Sequence, residues 1–435
     1  MHEKNDTSAT QARGLTQTKI ATWASGLLIL TLTLWCGPWG CLASSNATKP
    51  KGGGGTGGTG GEAGTAGTAG SGGAAGPGGS GGSGGQPSDG GGDTGPPVSG
   101  LHVVGNKLMD NGKTVRLLGV DRSGTEYGCV QQGMVFPEGP TSVSSLLGGM
   151  TGWGINTIRV PLNEDCWLGI NGANAAASGA AYTSAITTYV QGLRAAGMYV
   201  IVDLHWNAPG STLSMSQQPM ADEDNAPAFW MSVASTFKGD NGIVFDLYNE
   251  PYPDLGTMGM GQGVSDPGTC MLNGCELSSW TGFSGSAMSA GMQQLVTTVR
   301  GTGATNVIMI AGWTYANTIG TWLTYEPTDP LNNLAASFHT YNYTGCSNTG
   351  CWMDNVQYVA ETVPVITGEL GENDCNTGFV DSYFAFADPL GISYLGWAWN
   401  ADDCSSFPSL ITNYGGSPTA FGQAFMTHLP TQSGM

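Results

Sequence analysis

Eight short apolar runs of strand length recur between Leu117 and Ala398, each closing on polar or aromatic residues, and this rhythm restricts the chain to very few architectures. The runs are Leu117–Val120, Ile155–Leu162, Tyr199–Leu204, Val244–Tyr248, Val307–Ala311, Ala336–Phe338, Val363–Thr367 and Ile392–Ala398. Between most of them lie stretches with helical period: Ser144–Trp153, Ala180–Ala196, Ala226–Phe237, Ser286–Arg300 and Phe379–Ala387. Strands separated by helices imply a parallel sheet with crossover connections. For eight of them the simplest closed solution is an α/β fold of the (β/α)8 TIM barrel type. Ahead of the first run, Leu101–Leu118 alternates around Asp110-Asn111-Gly112, a hairpin signal placed to plug or cap the domain.

The first hundred residues have a different character. Lys4, Arg13 and Lys19 precede an apolar run from Ile20 to Cys36 and a small-residue exit through Ser45, the layout of a secretory signal peptide. The run is long for that purpose and barely long enough for a membrane span, so a retained anchor is the alternative. Gly40-Cys41 resembles the end of a bacterial lipobox, with Pro38 where such a box usually carries Leu; a lipid on Cys41 would attach the chain to a membrane. Between Lys51 and Gly100 stand 25 of the chain's 72 glycines, and residues 46–99 read as a flexible Gly/Ser/Thr-rich tether. The expected layout is thus a signal over 1–45, a linker over 46–99 and one catalytic domain over 100–435, secreted or held at the outer surface and working as a monomer.

Charge narrows the partners. A net charge of -19 offers no basic footprint for phosphates, so nucleic acid is not expected as a partner. From Gly100 onward 8 Lys plus Arg face 27 Asp plus Glu, and ten of the 13 tryptophans lie there, a composition suited to a flat neutral ligand such as carbohydrate. The domain's eight cysteines form no Cys-x-x-Cys pair, and an even number behind an export signal favours disulfides over zinc. Asp222-Glu223-Asp224 could suggest calcium but reads better as a helix start, where carboxylates suit the dipole. No metal and no cofactor is expected. Asn163-Glu164-Asp165 either borders a ligand site or is a solvated loop.

In such a barrel the chemistry sits where strands end. Strand two carries Arg159 and Asn163, and strand three ends in Asp203-Leu204-His205-Trp206. Strand four ends in Tyr248-Asn249-Glu250-Pro251 and strand six in His339-Thr340-Tyr341. Strand seven ends in Gly368-Glu369 and strand eight in Trp397-Ala398-Trp399. Carboxylates at the ends of strands four and seven are what glycosidic bond hydrolysis needs: one protonates the leaving oxygen while the other attacks or activates water. From residue 101 to about 428 this order of motifs resembles clan A glycoside hydrolases, and most of all glycoside hydrolase family 5, which includes many cellulases.

The resemblance implies that Glu250 is the acid/base and Glu369 the nucleophile. It also implies that Arg159, His205, Asn249, His339 and Tyr341 support them, with Trp397 as a sugar platform. Glu250 would need a pKa raised by burial and by the Glu369 charge, and Glu369 would be kept ionised by Arg159. Retention predicts carboxyl groups roughly 5 to 5.5 Å apart. Glu372, three residues beyond Glu369, is the decoy, and Trp206, Trp313 and Trp399 could equally be packing. Trp397 and Trp399, two apart, would share a strand face.

The barrel also sorts the cysteines, which by sequence alone allow 105 connectivities. Cys129 with Cys166 and Cys375 with Cys404 join neighbouring loops, while Cys270 with Cys275 and Cys346 with Cys351 close small ones. The long segment Tyr252–Phe283 is expected to shape the leaving-group side beside Glu250. The expected activity is that of an exported retaining endo-β-glycanase acting on β-1,4-glucan. Mannan, xylan or mixed-linkage glucan are the alternatives within the same chemistry, and a non-catalytic carbohydrate-binding lipoprotein is the alternative outside it.

Overall fold

The structure, a computed structural model, describes residues 100–255, 263–405 and 407–432; the proposed signal, Cys41 and the tether lie outside the described residues. It opens with a three-stranded antiparallel sheet, β1 (His102–Val104), β2 (Lys107–Asp110) and β3 (Lys113–Val115). The expected hairpin is its β2–β3 half. Asn111 and Gly112 both have positive φ, 50° and 73°, as a two-residue turn matched to strand twist requires.

The chain then alternates. β4 (Leu118–Asp121), α1 (Val143–Gly149), β5 (Thr157–Asn163), α2 (Glu164–Leu168), α3 (Ala180–Ala195), β6 (Tyr199–Trp206), α4 (Ala226–Phe237) and β7 (Ile243–Asp246) form the first half. A long excursion comes next, with α5 (Pro267–Asn273) and the short pair β8 (Glu276–Leu277) and β9 (Ala287–Met288). α6 (Met292–Gly301), β10 (Ile308–Ala311), β11 (Leu334–Tyr341), α7 (Thr349–Trp352), α8 (Tyr358–Ala360), β12 (Val365–Gly371), α9 (Gly378–Ala387) and β13 (Ser393–Gly396) complete the second half. β14 (Ile411–Asn413), β15 (Ser417–Pro418) and α10 (Ala420–Gln432) end it. The eight strands β4, β5, β6, β7, β10, β11, β12 and β13 close into one parallel barrel, β13 pairing back onto β4 through Tyr394 and Leu118. The fold is the expected (β/α)8 barrel.

Each helix buries the stripe its sequence spells out. In α3 the buried positions are Tyr182, Ile186, Tyr189, Val190 and Leu193, and in α4 they include Phe229, Trp230, Val233 and Phe237, spacings of three, four and seven that fall on one face. The expected helix over Ser286–Arg300 starts later, at Met292, because Ala287–Met288 is spent pairing with β8. α10 has no counterpart among the expected helices, although Phe421, Phe425 and Leu429 repeat every four residues and are all buried.

Strand alternation divides the barrel into an outer apolar shell and a graded interior. Val200, Val202 and Leu204 of β6 join the large core under the helices, while Ile201 points inward. There Ile201, Val244, Val307, Met309, Ala335, Ile366 and Leu395 form a small separate apolar cluster with Leu101, Leu108 and Leu117. The capping sheet therefore seals the barrel's N-terminal end with hydrocarbon. One step further along the strands the inward positions turn polar.

Candidate active site

The polar floor starts with Asp121 of β4, Arg159 of β5, Asp203 of β6 and Asp246 of β7, all 0% exposed. Arg159 is their common partner. Its Nη1 meets Asp121 Oδ1 at 3.0 Å and Glu369 Oε1 at 2.9 Å, and its Nη2 meets Asp246 Oδ2 at 3.1 Å and Asp203 Oδ2 at 3.2 Å. Burial pushes the carboxyl groups of Asp121, Asp203 and Asp246 up, against the pull of Arg159. One guanidinium cannot hold four buried carboxylates ionised, so the floor retains protons. Asp121 and Asp246 had no place in the expected site. Their signal was present, however, as an acid at the inward register of a run that is buried on both faces.

Two irregularities in the strand ladders lift the next layer into position. Pairing of β11 with β12 runs Phe338↔Thr367 and then His339↔Glu369, leaving Gly368 as the extra residue, so that His339 and Glu369 stand side by side. Pairing of β5 with β6 likewise skips from Leu204 to Trp206, with His205 as the extra residue. Glycine at 368 is what lets the ring sit there: a Cβ would lie 2.7 Å from His339 Nε2, and the ring would have to shift.

Glu369 is 3% exposed and accepts from two sides, Oε1 from Arg159 and Oε2 from the Tyr341 hydroxyl. Burial and the Glu369 charge raise the Tyr341 phenol well above its ordinary value, so it remains a donor. Glu250 lies just past the described end of β7, its side chain 17% exposed, with Oε1 3.0 Å from His339 Nδ1. His339 Nδ1 is also 3.7 Å from Glu369 Oε2, and the facing atoms of Glu250, His339 and Glu369 all lie within 4.8 Å of one another. Burial lowers His339 to about 3, so it is neutral at working pH. Burial raises Glu250 to about 7; His205, the Gln217 amide and Arg159 oppose that rise and Asp203 adds to it. Burial leads that rise, and the like charge that adds to it is Asp203 where Glu369 was expected.

Beside this pair, Asn249 Oδ1 accepts from Arg159 Nη2 at 2.8 Å, and its Nδ2 lies 3.3 Å from His205 Nε2. His205 Nδ1 is 2.8 Å from Asp203 Oδ2, and its ring stacks on Trp397 at 5.5 Å and 10°. All eight residues singled out in the sequence thus converge: Arg159, His205, Asn249, Glu250, His339, Tyr341, Glu369 and Trp397. Trp397 and Trp399 do not share the expected strand face. β13 ends at Gly396, so strand alternation extends to neither Trp397 nor Trp399. Trp399 is 1% exposed and packs edge-on against Trp153 at 4.8 Å, while Trp397, Trp206 and Trp313 keep partial exposure. Glu372 faces the residues that open α9, among them Phe379 and Val380.

Two acidic segments also differ from expectation. Glu164 and Asp165, with Asn163, are fully buried, and Glu164 meets the Asp222 carboxyl instead of solvent or a ligand. Asp222 is itself buried, accepting from Asn225 N at 2.8 Å and from Asn207 Nδ2 at 2.8 Å. Asp224 accepts from Gly210 N at 2.7 Å. Asp222 and Asp224 therefore tie down a loop, while α4 starts at Ala226 after Asn225. Gln217, from that same loop, reaches Glu250 and had no sequence signal at all.

The four cysteine pairs are those expected: Cys129–Cys166, Cys270–Cys275, Cys346–Cys351 and Cys375–Cys404. Each lies in segments that come after barrel strands, on the side of the two glutamates. A further group with metal-ligand atoms, Cys375, Asp403 and Cys404, includes one of these disulfides.

The chain matches the family model described as Cellulase (glycosyl hydrolase family 5) over residues 120–403. It is 21% identical over 318 residues to a mannan endo-1,4-beta-mannosidase of Streptomyces lividans, covering 70% of this chain and 67% of that one. It is 27% identical over 153 residues to Endoglucanase MaCel5A of a Microbulbifer species, covering 35% of this chain and 26% of that one. Among solved structures, the beta-glucanase SdGluc5_26A of Saccharophagus degradans, in complex with cellotetraose, superposes with a TM-score of 0.55 at 19% identity, covering 78% of this chain and 98% of that one. At that identity the superposition speaks for the fold.

Proposed function

The chain belongs to glycoside hydrolase family 5, and on that premise we propose that it is a retaining endo-β-glycanase acting on β-1,4-glucan, with Glu250 as acid/base and Glu369 as nucleophile. The observation that carries this reading is the carboxyl pair itself. An oxygen of Glu250 and one of Glu369 lie within 4.8 Å of each other, the close approach expected of a retaining pair, whose carboxyl groups stand roughly 5–5.5 Å apart.

In the first step the Glu250 hydroxyl passes its proton to the glycosidic oxygen as the bond from C1 to that oxygen breaks and a Glu369 oxygen closes on C1. In the second, water attacks C1, gives a proton to Glu250 and releases Glu369. Arg159 and Tyr341 hold Glu369 in one orientation for attack. Arg159 also fixes the Asn249 carbonyl and so orients its amide, which has one hydrogen toward His205 and a second to donate to a sugar 2-hydroxyl. Trp397, stacked on His205, offers a flat face to the pyranose ring.

Mannan is the second reading, favoured by the Streptomyces lividans relative that aligns with 70% of this chain. Secretion, with Cys41 as a candidate point of membrane attachment, belongs to the proposal too; four disulfides suit an oxidising compartment. Hydrolysis of carboxymethylcellulose, mannan, xylan and lichenan with product sizing tests the substrate and the endo action. Glu250→Gln and Glu369→Gln test the chemistry: each is expected to lose about a hundredfold or more in kcat on an unactivated glycan, and sugar release at the wild-type rate in either would overturn the assignment. With Glu250 raised to about 7 and required in its protonated form, kcat/KM is expected to fall as pH rises through that value.

A further inference from the structure

We propose that Gln217, in the loop between β6 and α4, is a positioning residue that fixes the Glu250 carboxyl in the cleft and tunes its proton transfer; the inference rests on the reading of Glu250 as acid/base. Gln217 Nε2 donates to the Glu250 backbone carbonyl at 2.7 Å and to Glu250 Oε2 at 3.3 Å. His339 Nδ1 meets the other oxygen, so the carboxyl is held between a strand residue and a loop residue.

The loop is built to hold that amide still. Its neighbour Gln218, 1% exposed, exchanges two bonds with the Thr281 backbone, Nε2 to Thr281 O at 2.9 Å and Thr281 N to Oε1 at 2.7 Å. The Tyr248 hydroxyl donates to Gln218 O at 2.8 Å, and Tyr252 N donates to Pro219 O at 2.8 Å. Upstream, Ser214 N donates to Asp165 Oδ2 at 2.8 Å and Ser214 O accepts from Asn163 Nδ2 at 2.9 Å. The backbone on both sides of Gln217 is thus pinned to the segments after β5 and β7, and from that fixed base its side chain reaches Glu250.

An amide donor stabilises the carboxylate form, against burial, which stabilises the acid form. Gln217 therefore keeps Glu250 able to serve both halves of the cycle, donating a proton in the first and accepting one in the second. The titratable and charged groups that also face Glu250 are His339, Tyr341 and Tyr343 from β11 and the segment after it, Glu369 from β12, Asp203 and His205 from β6, Arg159 from β5, and Tyr252 and Tyr315 from the flanking loops. All of them remain when Gln217 alone is changed.

The test compares Gln217→Leu, which removes the donor at similar size, and Gln217→Glu, which replaces it with a like charge. The probes are two aryl glycosides of whichever disaccharide the polysaccharide panel selects, one with a phenyl and one with a 2,4-dinitrophenyl leaving group, both read as kcat/KM against pH. A phenolate that leaves without protonation does not need the acid. Gln217→Leu is expected to lose about tenfold on the phenyl glycoside and to stay within about twofold on the dinitrophenyl one. Its alkaline limb should move up by about half a pH unit, and further in Gln217→Glu. Equal losses on both glycosides, or an unmoved alkaline limb in both variants, would overturn the proposal. Glu250→Gln on the same pair keeps the two readings apart: if it shows no leaving-group dependence, the acid assignment fails and not merely the role of Gln217.

Discussion

At the scale of single residues, the site depends on positions whose chemistry is set by what lies opposite them. Gly368 carries no functional group, yet it decides where His339 can stand, and through His339 where the Glu250 carboxyl is held. His339 is 1% exposed and bonded to Glu250, so yielding to an added methyl would disturb its hold on that carboxyl. Gly368→Ala is therefore expected to fold and to lose about 10- to 100-fold in kcat, since a displacement near 1 Å at a reacting group costs that much. Steady-state kinetics beside a melting curve checks it; unchanged kcat would show that the imidazole can move without consequence. The glutamates, histidines and Arg159 were legible in the sequence because each borders or sits within an apolar run at an inward register. Gly368 stood out only as the partner of Glu369, since the need for glycine arises across β11 and β12.

At the scale of elements, strands were easier to read than the segments between them. A strand inside a barrel is buried on both faces, so its apolar run appears directly in the sequence. A loop is held by side chains from elsewhere, as the loop from Asn207 to Asn225 illustrates. Glu164, at the first position of α2, and Asp222 of that loop form a buried carboxyl pair that looks like solvated acid when read linearly. Burial first, then the Asp222 charge, raises Glu164 well above its usual 4.5. The folded chain thus holds a proton there that the unfolded chain releases above that value. The stabilisation is complete below the unfolded pKa and is lost as pH rises through the folded one. Glu164→Gln keeps the hydrogen-bonding shape and removes the titration. It should match the wild type in acid and exceed it in stability at mildly alkaline pH, as urea unfolding at several pH values would show; a wild-type difference that does not change with pH would contradict this.

At the scale of the whole molecule, the two ends of the barrel are held by different forces. The N-terminal end is closed by the capping sheet and its flanks through an apolar cluster that includes Leu101, Leu108 and Leu117, with hydrogen bonds such as Val103 N to Asn333 Oδ1 and the Tyr199 hydroxyl to Asp110 Oδ2 at its rim. The opposite end carries the glutamates and is framed by loops that four disulfides brace against the core. Cys129–Cys166 and Cys375–Cys404 span 37 and 29 residues, and the other two span 5 each. Chain-entropy arguments rank the longer closures first, at about 3–4 kcal/mol each. Replacing Cys129 and Cys166 together by Ser should lower the unfolding free energy by roughly 2–4 kcal/mol, and replacing Cys346 and Cys351 should cost less. Denaturant titration of both double variants checks the order.

The sequence by itself determined the barrel, the order of its strands and the residues that meet at its mouth, because alternation and strand-end position are local properties that survive being read one residue at a time; the cysteine partners followed only once that barrel was assumed. The tertiary structure alone decided the amide that reaches Glu250, the proton-holding floor around Arg159, the hidden pairing of Glu164 with Asp222 and the burial of Trp399. Each of those depends on segments distant along the chain coming together and shedding water, and the strength of a charge or a hydrogen bond is fixed only once that water has gone.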